Sequence, residues 1–262
     1  MADREDIAPV LFVQQFGSGA PLMLIHGLMV TGEMFRPVIE PLSQHYRLIV
    51  PDLRGHGRSG HLPAPYTVVQ LASDLAQVLD ALGVESAHVL GYSHGGAVAQ
   101  QFALDYPARV RSLTLACTYA YNMFSRRERI EGALLPWIIR VLGIRRTAAL
   151  ILAISGAVGG SRLRPETVRW LREMMASNDT AKMVAATRAM LAFDSRGRLG
   201  EIQTPTLVIA GSQDTAVPRH HARMLADGIK GAQLRVVEGA GHALIWTHPD
   251  DLARLVVDAV AT

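Results

Sequence analysis

The chain of 262 residues holds a single cysteine, Cys117, so no disulfide can form within it. That excludes the small disulfide-stapled scaffolds and suits a reducing compartment. Metal-ligand spacings are missing as well: no cluster of His, Cys and Asp reads as a metal site, and neither metal nor cofactor is expected. Gly17, Gly19 and Gly27 do not make a dinucleotide-binding fingerprint. No apolar run reaches the roughly 20 residues of a membrane-spanning helix. The longest, Ala148 to Gly160, is broken by Ser155 and three glycines. The first residues, Met1 to Asp6, are acidic where a secretory signal is basic, and no apolar stretch follows them. A cytoplasmic protein without a transmembrane segment is the expectation. There is no internal repeat, no low-complexity tract and no nucleic-acid-binding module, so no nucleic-acid partner is expected.

What the chain does have is apolar substance. Residues of the apolar classes make up 49% and charged ones 19%, the balance of a globular protein with a large core. The net charge of +3 is unevenly spread. Residues 119–200 hold 14 Lys and Arg against 6 Asp and Glu, whereas the rest holds 12 against 17. Such a basic region is either a solvated surface or an insertion that attracts anionic substrates or lipid headgroups.

Strands and helices alternate through the first third. Val10–Phe16 and Leu22–Ile25 are short apolar runs around Gly17-Ser18-Gly19, which predicts a hairpin. Tyr46–Val50 reads as a strand closed by Pro51. Thr67 to Leu82 reads as a helix with Leu71, Leu75, Val78, Leu79 and Leu82 on one stripe, a capping box of Thr67 and Gln70, and Gly83 as its stop. Ala87–Leu90 and Val110–Ala116 are further strands on either side of a helix over Gly95–Tyr106. From Tyr119 to Gly200 the rhythm changes to helices alone. Ser125 and Glu128 form a capping box, Pro136 is the expected kink, Pro165 opens a helix, and Thr180–Phe193 is amphipathic. The alternation resumes with strand Thr206–Ala210, helix Arg219–Ile229, strand Leu234–Val237 and helix Pro249–Val260. The expected fold is α/β: a mostly parallel sheet with helices on both faces, residues 1–118 and 201–262, interrupted by an inserted helical cap, residues 119–200.

Gly91-Tyr92-Ser93-His94-Gly95 is the strongest chemical signal, a Gly-x-Ser-x-Gly run between a predicted strand and a predicted helix. A strand-to-helix turn this tight needs small flanking residues, and it sets the serine at a helix N-terminus that favours a developing anion. A serine nucleophile needs a base. Of ten histidines, His242 follows Glu238-Gly239-Ala240-Gly241, just beyond a strand's carboxyl end, where sheet-based sites converge. His45, His56, His61, His88, His220, His221 and His248 read as scaffold, solvated or helix-start residues. The base needs an orienting carboxylate, and Asp214 follows another buried strand; accepting from one imidazole nitrogen, it leaves the other to face Ser93. Cys117-Thr118-Tyr119-Ala120, after the strand ending at Ala116, offers no carboxylate, and Cys117 lies off the elbow as a nucleophile.

The chain order Ser93, Asp214, His242, the elbow and the cap resemble the α/β-hydrolase superfamily, in its serine-nucleophile esterase and lipase-like branch, across essentially the whole chain. His26-Gly27, Asp52-x-Arg54-Gly55-x-Gly57-x-Ser59, Gly211-x-x-Asp214 and Gly241-His242 match the family's pattern segments. One departure is Thr247, where many relatives place a glutamate. The resemblance implies a catalytic triad of Ser93, Asp214 and His242. It also implies an oxyanion hole from the backbone amides of Leu28 and His94. The reaction expected is hydrolysis of a carboxylic ester, thioester or lactone through an acyl-enzyme, without cofactor or metal. The expected partner is a small ester-like molecule with an apolar acyl or aromatic part. Trp137, Met183, Phe193 and Trp246 are the candidate pocket residues. Ser93 argues against the aspartate-nucleophile epoxide hydrolases and dehalogenases. C–C bond hydrolysis of a vinylogous diketone, cofactor-free perhydrolase or haloperoxidase chemistry, and a slow-turnover ligand receptor are the other readings the fold allows.

Overall fold

The computed structural model describes residues 10–155 and 163–260. The acidic start of the chain and the end of the apolar run at Gly160 lie outside the described residues. Seven strands form one sheet: β1 (Val13–Phe16), β2 (Ala20–Ile25), β3 (Tyr46–Pro51), β4 (Ala87–Tyr92), β5 (Val110–Ala116), β6 (Thr206–Gly211) and β7 (Gln233–Val237). Their spatial order is β1-β3-β2-β4-β5-β6-β7. β1 runs antiparallel to β3, and the other pairs are parallel. The central strands read as continuous apolar runs because both faces are covered: Leu22 to Ile25 and Leu113 to Ala116 are buried at every position. The edges carry the polar residues, Gln14 and Gln15 on β1, Gln233 and Arg235 on β7, which blunts them against further strand pairing.

Nine α-helices occur among the described residues: α1 (Arg36–Ser43), α2 (Val68–Ala81), α3 (His94–Asp105), α4 (Arg126–Ser155), α5 (Pro165–Ala176), α6 (Thr180–Leu191), α7 (Arg219–Gly228), α8 (Leu244–Thr247) and α9 (Pro249–Val260). The crossover from β2 to β3 runs toward one edge of the sheet, and those from β3 to β4 and β4 to β5 run toward the other. Right-handed crossovers in opposite directions place their helices on opposite faces. Accordingly α1 packs against α9, and α2 against α3. The direction reverses between β2 and β4, and the crevice beyond the carboxyl ends of these two strands is where an open α/β sheet binds its ligand.

Three expectations are corrected. The Gly17-Ser18-Gly19 turn does reverse the chain, but β1 and β2 do not pair: β3 lies between them. Gly17 has φ +69°, and a Cβ there would run into the carbonyl oxygens of Ser43 and Tyr46, so the turn passes tightly over the start of β3. The break in α4 is at Gly143 (φ 74°, ψ 161°), not at Pro136. Proline's fixed φ is compatible with helix, whereas a positive φ needs glycine. In α2 the Gln70 amide donates to the Thr67 hydroxyl at 3.2 Å, but the Gln70 side chain reaches forward to Asp74 instead of closing a capping box. The box at Ser125 and Glu128 is reciprocal, at 2.6 and 3.2 Å. Between β5 and β6 the described residues form no strand, and α4 packs on α5 and α6.

Candidate active site

Ser93 sits between the last residue of β4 and the first of α3 with φ 55° and ψ −120°, a conformation non-glycine residues rarely adopt. Its strain is locked in by its neighbours. A Cβ on Gly91 would lie 2.6 Å from Gly96 Cα, and one on Gly95 would collide with the carbonyl oxygens of Ile25 and His26. The Ser93 amide donates to Ala116 O at 2.9 Å, tying the elbow to the end of β5. The side chain is thereby raised at the carboxyl edge of the sheet, at the reversal between β2 and β4.

His242 and Asp214 come to it from the loops after β7 and β6. His242 Nε2 lies 3.1 Å from Ser93 Oγ, and His242 Nδ1 lies 2.9 Å from Asp214 Oδ2. With the proton on Nδ1, donated to the carboxylate, Nε2 is the acceptor for the serine hydroxyl. The other carboxylate oxygen of Asp214 accepts from the amides of Ala216 and Val217 at 2.9 and 2.8 Å, so the side chain is pinned on both sides. Burial disfavours the imidazolium of His242, but the Asp214 charge and hydrogen bond outweigh it and hold the pKa above the ordinary 6.5. Tyr92, the residue before Ser93, supports the arrangement from below: its hydroxyl donates to His242 O at 2.7 Å and accepts from Ile245 N at 3.3 Å. Cys117 is buried beside Asp214, and burial pushes its thiol far up, which removes the thiolate a nucleophile requires.

The loop after β2 passes close by. A Cβ on Gly27 would touch Ser93 Cβ at 3.4 Å, so Gly27 and Leu28 border the serine. His26, whose role the sequence did not disclose, holds this loop. Its Nδ1 donates to Gly27 O and its Nε2 accepts from the Leu53 amide, each at 2.8 Å. Burial keeps this ring neutral, with its pKa lowered to about 4. Asn178, between α5 and α6, grips the same loop from the other side: its amide donates to Met29 O at 2.8 Å while its oxygen accepts from Gly57 N at 2.8 Å. Met29 and Gly57 lie more than a hundred residues away in the chain, so no local signal could mark this role of Asn178. The His94 ring is fully buried, with Nδ1 3.4 Å from Tyr119 Oη, and burial lowers its pKa to about 3.

The expected pocket residues differ in their surroundings. Met183 is fully buried in α6, and Trp246 is half-buried on α8. Phe193 lines a cavity of about 580 Å³ together with Tyr66, Val68, Val184, Ala185 and Arg188, but Ser93, Asp214 and His242 are not among its walls. Trp137 stands 61% exposed on α4 rather than in an enclosed pocket. Two groups among the described residues bring three potential metal ligands within 4.8 Å, Cys117 with Asp214 and His242, and Glu128 with His220 and His221. The first is the site itself. In the second, His221 Nε2 donates to Glu128 Oε1 at 2.8 Å, joining the start of α4 to α7.

The chain belongs to the α/β-hydrolase fold family, which it matches over residues 20–249, and it is an enzyme. A protein of Azorhizobium caulinodans named "Putative carbamate hydrolase RutD" is 36% identical over 255 residues, covering 92% of this chain and 91% of that protein. A pimeloyl-[acyl-carrier protein] methyl ester esterase of Aeromonas salmonicida is 32% identical over 93% of this chain and 96% of its own length. Among solved structures, a thermophilic esterase from Thermogutta terrifontis superposes with a TM-score of 0.84 at 29% identity, covering 96% of this chain and 94% of that one.

Proposed function

We propose that the protein is a serine hydrolase of carboxylic esters, with Ser93 as nucleophile, His242 as general base and acid, and Asp214 as the group that orients and charges the histidine. The observation that carries this is the continuous relay from Ser93 Oγ through both nitrogens of His242 to Asp214, at 3.1 and 2.9 Å, hung on a strained serine. Ser93 Oγ attacks the acyl carbon while its proton passes to His242 Nε2. The negative oxygen that forms is met by the amides of Leu28 and His94, two fixed dipoles that need no reorganisation. His242 then gives the proton to the departing alkoxide, leaving an acyl group on Ser93. Water, deprotonated by the same nitrogen, releases the acid and restores the serine.

The ester reading is favoured by a relative named as a methyl ester esterase and by a solved structure named as an esterase. Thioesters and lactones present the same acyl carbon. Residues 119–200 act as a cap on the core of residues 1–118 and 201–262, because this insertion leaves the sheet after β5, at the carboxyl edge where Ser93 lies. The reaction needs no metal or organic cofactor. The test is a panel of p-nitrophenyl esters of graded acyl length, run beside Ser93→Ala. Loss of such a nucleophile lowers kcat by a factor on the order of 10⁶. An alanine variant that keeps more than a small fraction of the activity would overturn the proposal.

A further inference from the structure

α4 has two apolar faces, and among the described residues only one is covered. On one side Gly132 and Ile139 are buried, with Gly132 so close to α6 that a Cβ would lie 2.8 Å from Leu191. On the opposite side Ile130, Leu134, Trp137 and Val141 stand at 52, 49, 61 and 56% exposure. Their spacing of four, three and four residues is one stripe of a helix. An exposed apolar stripe running along a helix opposite its buried face marks a surface made to be covered. Its rim is cationic: Arg126, Arg127, Arg129 and Arg140 are exposed beside the stripe. The two carboxylates of the same stretch are engaged already, Glu131 with Arg127 at 2.6 Å and Glu128 with His221 at 2.8 Å.

We propose that this face of α4 is an interfacial anchor that seats the protein on an anionic lipid bilayer. A tryptophan and three aliphatic side chains enter the boundary between headgroups and acyl chains, and the arginines extend their stems alongside and meet lipid phosphates. From Arg126 to the break at Gly143 the helix extends about 25 Å and lies in the plane of the surface. No helix among the described residues is long and apolar enough to cross a membrane, so the association is peripheral. Charge decides against a second copy of the chain as the partner: Arg127 is already paired with Glu131, and pairing this face with itself would set Arg126, Arg129 and Arg140 against their own copies, with no free carboxylate on α4 to neutralise them. An anionic surface neutralises them all.

The test is co-sedimentation of the full chain with vesicles of phosphatidylcholine alone and of phosphatidylcholine mixed with phosphatidylglycerol, at low and high salt. The expected result is binding to the mixed vesicles that is at least about tenfold stronger than to the neutral ones and that weakens in high salt. The Ile130→Ser/Leu134→Ser/Val141→Ser variant, checked for folding by its thermal transition, should lose most of that binding. The Arg129→Gln/Arg140→Gln variant should lose the salt dependence. Binding that is absent, indifferent to lipid charge, or unchanged in the triple serine variant would overturn the proposal. So would a dimer in sedimentation equilibrium that the triple variant dissolves while vesicles bind neither protein, since a second copy would then be the occupant.

Discussion

His242 is held between two opposing influences, burial that disfavours its charge and a carboxylate at 2.9 Å that favours it. The carboxylate wins, and on the proposed mechanism a base with a raised pKa must lose its proton before it can accept one from Ser93. Activity should therefore rise with pH through an apparent pKa above 6.5, read from kcat/KM across a buffered series. Asp214→Asn separates the two influences. It removes the charge and leaves the burial, so the apparent pKa should fall, and kcat should drop about 10³–10⁴-fold as the ring takes the wrong tautomer. A drop below about tenfold, or an unmoved pH profile, would mean that another group orients the histidine. The structure brings together the three residues that the sequence singled out: Ser93 and Asp214 follow buried apolar strands, His242 follows the half-exposed edge strand β7, and each is bracketed by glycine or turn residues. His26, Tyr92 and Asn178 were not legible as supports, since what they do depends on partners as distant as Leu53, Ile245 and Gly57, which only the fold brings near.

At the scale of elements, the elbow is the joint on which the site depends. Gly95 lies where α3 crosses the end of β2, and any side chain there meets the backbone of Ile25 and His26. Backbone cannot yield as a flexible side chain can. Gly95→Ala should cost about 1–3 kcal/mol or more in urea unfolding and should lower activity in whatever protein still folds. An alanine variant of unchanged stability and rate would show that the strand–helix contact is looser than the structure has it. Most element positions followed from the apolar rhythm, and β5 and α9 have the predicted ends. Pairing order did not follow, because a glycine turn announces a reversal of the chain but not which strand lies beside it. The break in α4 was assigned to Pro136 because proline is the louder local signal, but the residue that reaches a positive φ is Gly143.

For the molecule as a whole, acid is the expected weakness. His26, His56 and His94 are buried and neutral, with pKa values lowered to about 4, 3 and 3, chiefly by burial. In the unfolded chain each regains an ordinary pKa of 6.5, so below that pH the unfolded state binds more protons and stability falls. The slope is about 1.4 kcal/mol per pH unit for each group. The raised pKa of His242 acts in the opposite sense, adding stability below 6.5 that is lost as pH rises through its own value, but it is one group against these three and against His88 and His221, which burial also lowers. Urea unfolding at pH 7 and pH 5 should therefore differ by at least about 2 kcal/mol in favour of pH 7; equal or greater stability at pH 5 would show that these rings are not held neutral. These histidines also surround the loops that carry Gly27, Leu28 and Ser93, so the scaffold that is sensitive to acid is the one that shapes the site. The claim on which the whole account turns is that Ser93 is the nucleophile. Reaction with a fluorophosphonate, followed by peptide mass spectrometry, tests it directly. The account predicts one adduct per chain, on Ser93, formed more slowly in Asp214→Asn and absent from Ser93→Ala. An adduct on another residue, or none while the protein still hydrolyses esters, would contradict it.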